Sequence, residues 1–274
     1  MNSQYEKAEK LKYLHNTKEI LVIPNAYDAI SAAVIAAEGF EAVATTSGGC
    51  AISAGYCDGE NITLSEMTGI VKTICNAVSI PVSADMEAGY GVEPDEVSNT
   101  VKRTLEVGAV GLNIEDSRKN GDRVLFDYDI SVARIQAARY AIDEFGIPAV
   151  LNARTDVFST RGNNPIEEAI KRANAYLEVG ADCTFVIGVS DIDIIKELAN
   201  QIDGPLNILA GPESPSVIQL QSLGVQRVSF GSGFAKVAIS EVRRSLRYLR
   251  ESGTCDWNQG LLSQSDIKKL LGQS

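Results

Sequence analysis

The feature that most constrains this chain is a strand-then-helix unit repeated eight times, with two kinds of strand in alternation. One kind follows a helix that ends in glycine: Gly39 precedes EAVATTSGG, Gly108 AVGLNIED, Gly180 ADCTFVIG and Gly224 VQRVSFGSG. Glycine just past a helix occupies the left-handed cap, so it marks where each helix stops. The other kind follows proline: Pro81 before VSADMEAGYG, Pro148 before AVLNARTD and Pro205 before LNILAGPE. ILVIPNAYD at 20–28 opens the series. Helical patterns fill the gaps at 27–38, 64–79, 94–107, 129–145, 165–179, 191–202, 214–223 and 233–250. Eight such units with short connections predict a closed (β/α)₈ TIM barrel rather than an open doubly wound sheet.

Composition agrees. The 274 residues suit one barrel, and 45% hydrophobic with only 6% aromatic residues implies an aliphatic core, as parallel strands buried on both faces require. No linker divides the chain, so 1–274 reads as a single domain. The tail 254–274, with Trp257 and an amphipathic stretch at Gln264–Leu271, lies beyond the eighth helix and needs a surface to dock on. A net charge of −11 argues against a nucleic-acid partner. Arg243, Arg244, Arg247 and Arg250 form the strongest basic cluster and read as the solvated face of the last long helix. No apolar run approaches the ~18 residues of a membrane span, and the polar N-terminus is not a signal peptide. Five cysteines without a CxxC pair read as free thiols in a cytoplasmic protein.

In such a barrel the chemistry gathers at the carboxyl ends of the strands. Those ends carry Asn25, Tyr27 and Asp28; Ser47, Gly48 and Gly49; Asp85 and Glu87; Glu115 and Asp116; Arg154 and Asp156; Asn207; and Ser232. Any single carboxylate there reads as a surface charge or a helix cap. Three acidic clusters and an arginine on one rim are harder to explain that way. Hard oxygen ligands suit Mg²⁺, with Mn²⁺ as an alternative. Asp85 and Glu87, two apart, are expected to point the same way, with Glu115 on the neighbouring strand. Arg154 offers a planar fork for a carboxylate or an enolate oxygen. Ser47–Gly49 allows backbone N–H groups to approach an anion. The single histidine, His15, falls in the N-terminal helical segment, which excludes imidazole catalysis and His-ligated zinc.

PNAYDAISA from 24, TTSGG at 45–49, Asp58, DMEAGYG at 85–91, NIEDS at 113–117 and NARTDVF at 152–158 together resemble the isocitrate lyase/phosphoenolpyruvate mutase superfamily, from residue 24 to the eighth helix. The resemblance implies that Ser47 and Gly48, with Gly49, Tyr27 and Asn207 nearby, bind the substrate. It implies Asp85 as the main metal carboxylate, with Asp58, Glu87 and Glu115 acting through water, and Arg154 stabilising an enolate. Asp58, Glu115 and Arg154 are thus the expected catalytic residues, and Asp85, Glu87 and Glu115 the metal set. It further implies a cytoplasmic homotetramer with a C-terminal helix exchanged between subunits.

The loop after the fourth strand departs from the family. It reads SRKNGDRVLFD at 117–127, without the Lys-Cys-Gly-His motif of the isocitrate-type lyases or the Lys-Thr-Asn of the phosphonate mutases. Lys119 and Asn120 are its only candidate replacements, and Cys50 and Cys57 the remaining thiols near the mouth. Ile187 stands where relatives place Glu or His. The expected activity is a Mg²⁺-dependent carbon–carbon lyase acting on an oxaloacetate- or 2-substituted malate-like acid, a small 2-oxo or 2-hydroxy acid. A P–C bond mutase or hydrolase of phosphonopyruvate, a non-catalytic keto-acid binder, and a barrel gripping phosphate with FGSG at 230–233 are the alternatives.

Overall fold

In the computed structural model, which describes residues 3–118, 123–160, 164–256 and 259–272, all the barrel strands run parallel. Proline splits the first stave into β1 (Leu21–Ile23) and β2 (Asn25–Ala26), because Pro24 has no N–H to give the ladder. The others are β3 (Val43–Thr45), β4 (Val82–Asp85), β5 (Gly111–Glu115), β8 (Val150–Thr155), β9 (Cys183–Val186), β10 (Leu206–Leu209) and β11 (Arg227–Ser229). A short antiparallel hairpin, β6 (Ser117–Arg118) with β7 (Val124–Leu125), interrupts them. The sheet order is β1-β11-β10-β9-β8-β5-β4-β3-β2. Its two ends are halves of one bent strand, and Ala44 N–H donates to the carbonyl of Pro24 at the bend (2.9 Å). The barrel therefore closes with eight staves, as the repeat predicts.

The expected helices form at the expected places: α2 (Ala29–Ala37), α4 (Leu64–Ala77), α5 (Pro94–Glu106), α6 (Tyr128–Phe145), α7 (Pro165–Glu178), α8 (Ile192–Gln201), α9 (Val217–Ser222) and α10 (Gly233–Ser252). Local chemistry fixes their starts. Asp28 and Ser31 make a reciprocal capping box for α2, Thr63 and Glu66 for α4, and Pro94 and Pro165 open α5 and α7. The N-terminal helix α1 (Gln4–Leu14) closes the barrel floor. Its Ala8, Leu11 and Leu14 pack on Leu21, Ile23, Ala42, Ala44, Val110 and Val150.

Two segments differ from the sequence reading. Ser47–Ser53 is a short helix, α3, capped by the Thr46 hydroxyl, which the helical patterns in the sequence do not include. Helix α10 buries only Ala235 and leaves Phe234, Val237, Val242 and Leu246 exposed, so most of its apolar side chains are uncovered. The last helix, α11 (Gln264–Leu270), lies beside α2 with a cleft of about 590 Å³ between Ala33, Ala37, Leu262 and Leu270. Trp257 lies outside the described residues. No helix among the described residues is long and apolar enough to cross a membrane.

Candidate active site

The carboxyl ends of the second to fifth staves converge on a cluster of polar side chains. Asp85 ends β4, and its backbone N–H donates to Thr45 Oγ1 (2.9 Å), which fixes the height of β4 against β3. Its Oδ2 accepts from both the hydroxyl (2.8 Å) and the backbone N–H (3.0 Å) of Ser47. Both Ser47 donors thus serve a carboxylate, here the protein's own. Asp58 stands at the same place, 3.5 Å from Ser47 Oγ. Gly48 is tightly packed: a Cβ there would sit 2.9 Å from Ser232 Oγ and 3.3 Å from Asp58, so a larger residue would have to displace those side chains. A Cβ on Gly49 would meet Tyr27 Cβ at 2.9 Å, which places Tyr27 against the same turn. Ser232 also bonds Thr46 Oγ1 at 2.9 Å, tying the eighth stave to the second.

Glu87 is buried in this cluster, but not by strand alternation. The strand stops at Asp85, and Glu87 adopts a left-handed conformation (φ 51°), as do Tyr90 and Glu60 beside it. Three non-glycine residues in that region at one cluster are local backbone strain of the kind that gathers at functional sites. Glu87 Oε2 accepts from the N–H of Glu60, whose own side chain holds the N–H of Tyr90. Arg134 of α6 clamps this turn from behind, donating to the carbonyls of Ala88, Gly91 (2.6 Å) and Val92 (2.8 Å). Burial lowers its pKa to about 10. Nothing in the sequence distinguishes Arg134 from a surface arginine of an amphipathic helix.

Arg154 is the cation of the site. It lies across the ladder from Glu115, the two being register partners on β8 and β5, and its Nη1 is 2.8 Å from Glu115 Oε2. Its Nε bonds Asp156 Oδ1 at 2.8 Å. Burial works against its charge, but Glu115, Asp156 and Asp85 outweigh burial and raise its pKa, so it stays a guanidinium. Phe185 lies under it, 5.6 Å from the ring centre. Asp156, which the sequence shows two residues after Arg154, is fully buried and also accepts from Ser117 Oγ and Arg123 Nη1. Behind them Asp116 joins Arg172, Tyr176 and Thr155 (2.8–3.2 Å), and burial pushes its carboxyl up.

Other expected residues stand elsewhere. Asn207 is fully buried inside the barrel, its Oδ1 accepting from Ser229 and its Nδ2 without a partner among the described residues. Asp28 is a helix cap, and Asn25 is a staple whose Oδ1 accepts from the N–H groups of Phe230 and Gly231. Cys50 is fully buried, which pushes its thiol up to about 12, and Cys57 is exposed. Neither has the electropositive, accessible setting of a reactive thiol. Lys119 and Asn120 lie outside the described residues.

The Phosphoenolpyruvate phosphomutase family matches residues 11–250, spanning this whole site. The chain belongs to the isocitrate lyase/phosphoenolpyruvate mutase superfamily. It is 34% identical over 267 residues to the chloroplastic carboxyvinyl-carboxyphosphonate phosphorylmutase of Arabidopsis thaliana, covering 92% of this chain and 77% of that one. It is 32% identical over 229 residues to the 2,3-dimethylmalate lyase of Eubacterium barkeri, covering 79% and 77%. The structure of oxaloacetate acetylhydrolase with the product oxalate superposes with a TM-score of 0.90 at 27% identity, covering 99% and 96%. These superfamily relatives are lyases, mutases and a hydrolase, which supports an enzyme among enzymes.

Does the cluster suit a divalent ion? Among the described residues no three acidic, histidine or cysteine side chains gather closely enough to hold one by themselves. Asp85 Oδ1, however, is buried with no partner among the described residues, beside an all-oxygen donor set. A single direct carboxylate with waters completing the shell is how Mg²⁺ commonly binds, so the site fits it.

Proposed function

We propose that this protein is a Mg²⁺-dependent carbon–carbon lyase that cleaves an oxaloacetate- or 2-substituted malate-like acid through a pyruvate-enolate-like intermediate. The observation that supports it is Arg154, locked between Glu115 and Asp156 on the rim that carries Asp85 and Ser47. When bound, Mg²⁺ held by Asp85, with Glu87 and Glu115 acting through water, supplies Lewis-acid stabilisation of the developing oxyanion. With Asp85 serving the ion, the Ser47 hydroxyl and backbone N–H and the adjoining Gly48 amide would be the donors for the substrate carboxylate, with Gly49 keeping the turn close-packed. Arg154 holds the enolate oxygen, its direction set in advance by two carboxylates, so little reorganisation is needed as charge develops. Asp58 stands at the mouth beside Ser47. Because the loop 117–127 carries no cysteine, decarboxylation or a cleavage whose product water can protonate fits this site best. The exposed stripe of α10 supports assembly as a homo-oligomer, in line with the expected tetramer and exchanged helix. A P–C bond reaction on phosphonopyruvate is the second reading, favoured by the phosphorylmutase relative.

The experiment is a screen of oxaloacetate, 2-methylisocitrate, 2,3-dimethylmalate and phosphonopyruvate, with Mg²⁺ and with excess EDTA, scored for pyruvate or its equivalent. One of the carbon acids is expected to turn over only with metal, and Asp85→Ala to abolish turnover while the protein stays folded. Full activity in EDTA would sink the metal role, and turnover of phosphonopyruvate alone would move the assignment to the second reading.

A further inference from the structure

We propose that Arg123, on the loop after the fourth strand, is a positioning residue that holds Asp156 Oδ2 so that Asp156 Oδ1 can fix Arg154. The proposal rests on the reading above, in which Arg154 faces the reacting oxyanion. Asp156 uses both oxygens: Oδ1 accepts from Arg154 Nε at 2.8 Å, and Oδ2 from Arg123 Nη1 at 2.7 Å and from Ser117 Oγ. The contact is no surface ion pair. Asp156 is fully buried and Arg123 is 25% exposed, so water competes little for it.

Two further observations tie Arg123 to this task. The hairpin pairs Ser117 with Leu125 and Arg118 with Val124, and Phe126 N–H donates to the carbonyl of Asp116 (2.8 Å). Arg118 and Arg134 then lie on the Phe126 ring, 5.0 and 4.2 Å from its centre. Residue 123 is thereby brought back over the end of the fifth stave. Charge balance is the other observation. Glu115, Asp116 and Asp156 are all buried behind the mouth and meet Arg154, Arg172 and Arg123 in ion pairs. Glu168 already shares Arg172, so without Arg123 four carboxylates would face two arginines and Asp156 would lose the cation on its Oδ2. A buried carboxylate without compensation takes up a proton or draws a neighbouring cation toward itself. Protonation weakens the bond to Arg154 Nε, and a stronger pull on Arg154 draws its guanidinium away from the direction it holds between Glu115 and Asp156, although Arg123 itself touches only Asp156.

The test compares Arg123→Ala and Arg123→Lys with wild type in three measurements: steady-state kinetics on whichever acid the screen identifies, calorimetric binding of oxalate in Mg²⁺ buffer as a planar enolate mimic, and thermal unfolding. Arg123→Ala is expected to lose ~10-fold or more in kcat with KM nearly unchanged, and to bind oxalate several-fold more weakly, while its Tm stays close to wild type. Arg123→Lys should recover most of the loss, and guanidinium ion added to Arg123→Ala should restore part of it. In an Asp156→Asn background, removing Arg123 should cost less than ~2-fold more, because the two act as one unit. Kinetics and oxalate binding within twofold of wild type in Arg123→Ala would overturn the proposal. So would a loss that follows Tm and that neither lysine nor guanidinium repairs. If wild type turns over none of the acids but binds oxalate, the lyase reading fails alone, and oxalate affinity across the variants still decides the role of Arg123. If wild type does neither, the reading of the site and this proposal fall together.

Discussion

Arg154 and Arg227 are both sealed inside the same barrel, yet their surroundings are opposite. Arg154, at the carboxyl rim, is held by Glu115 and Asp156, and its pKa is raised despite burial. Arg227, toward the floor, is fully buried with no carboxylate partner among the described residues. Its Nη1 meets His15 Nε2 at 3.1 Å, Nη2 lies 3.4 Å from Ser83 Oγ, and Nε has no partner there. Burial lowers its pKa. His15 in turn holds the carbonyl of Leu11 at 2.8 Å through Nδ1, which must therefore carry the proton and leave Nε2 bare to accept from Arg227. At the rim, charge is matched by charge and directed at a site. At the floor, a cation is solvated by neutral groups and fastens α1 to the barrel. A buried arginine is thus not functional because it is buried; its counter-charges decide.

The sharpest way to break this contrast is Arg154→Lys. A lysine cannot bridge Glu115 and Asp156 while facing the oxyanion, so kcat should fall by ~100-fold or more with the fold intact. A variant within twofold of wild type would make Arg154 another structural cation, and the two ends would no longer differ in kind.

The floor should show itself through pH instead. Burial first, and then Arg227, lower the pKa of His15 from 6.5 to about 3. The unfolded chain therefore takes up a proton below pH 6.5 that the folded protein refuses until about pH 3. This contribution to stability is complete above pH 6.5 and declines as pH falls toward 3. Urea unfolding at pH 7 and pH 5 should show His15→Gln losing ~2 kcal/mol less than wild type across that interval. Parallel declines in the two proteins would mean that His15 is not held neutral.

The smallest effect is expected from Arg227→Met. It removes a buried charge but strands His15 Nε2 and Ser83, and the two terms oppose each other. Stability should change by less than ~1 kcal/mol and kcat by less than ~3-fold. A loss of several kcal/mol would show that Arg227 is held as firmly as Arg154.

Much of this molecule follows from the chain alone. Glycine and proline stops and reciprocal caps are local, so eight units and their boundaries can be read without tertiary knowledge. The alternation of strand faces likewise puts Asp85, Glu115 and Arg154 at one rim, because register partners on parallel strands share a face. Tertiary structure decided the rest. Ser47 spends its donors on Asp85, the turn after Asp85 aims Glu87 through a left-handed backbone, and α10 leaves its apolar stripe uncovered. Arg123 and Arg134 look like solvated charges in the sequence, since their partners stand 33 and 42–46 residues away. The physical reason is range: caps and strand faces depend on bonded neighbours and a fixed period, whereas the counter-charge of a buried side chain depends on which distant segments the closed barrel brings within 3 Å of it.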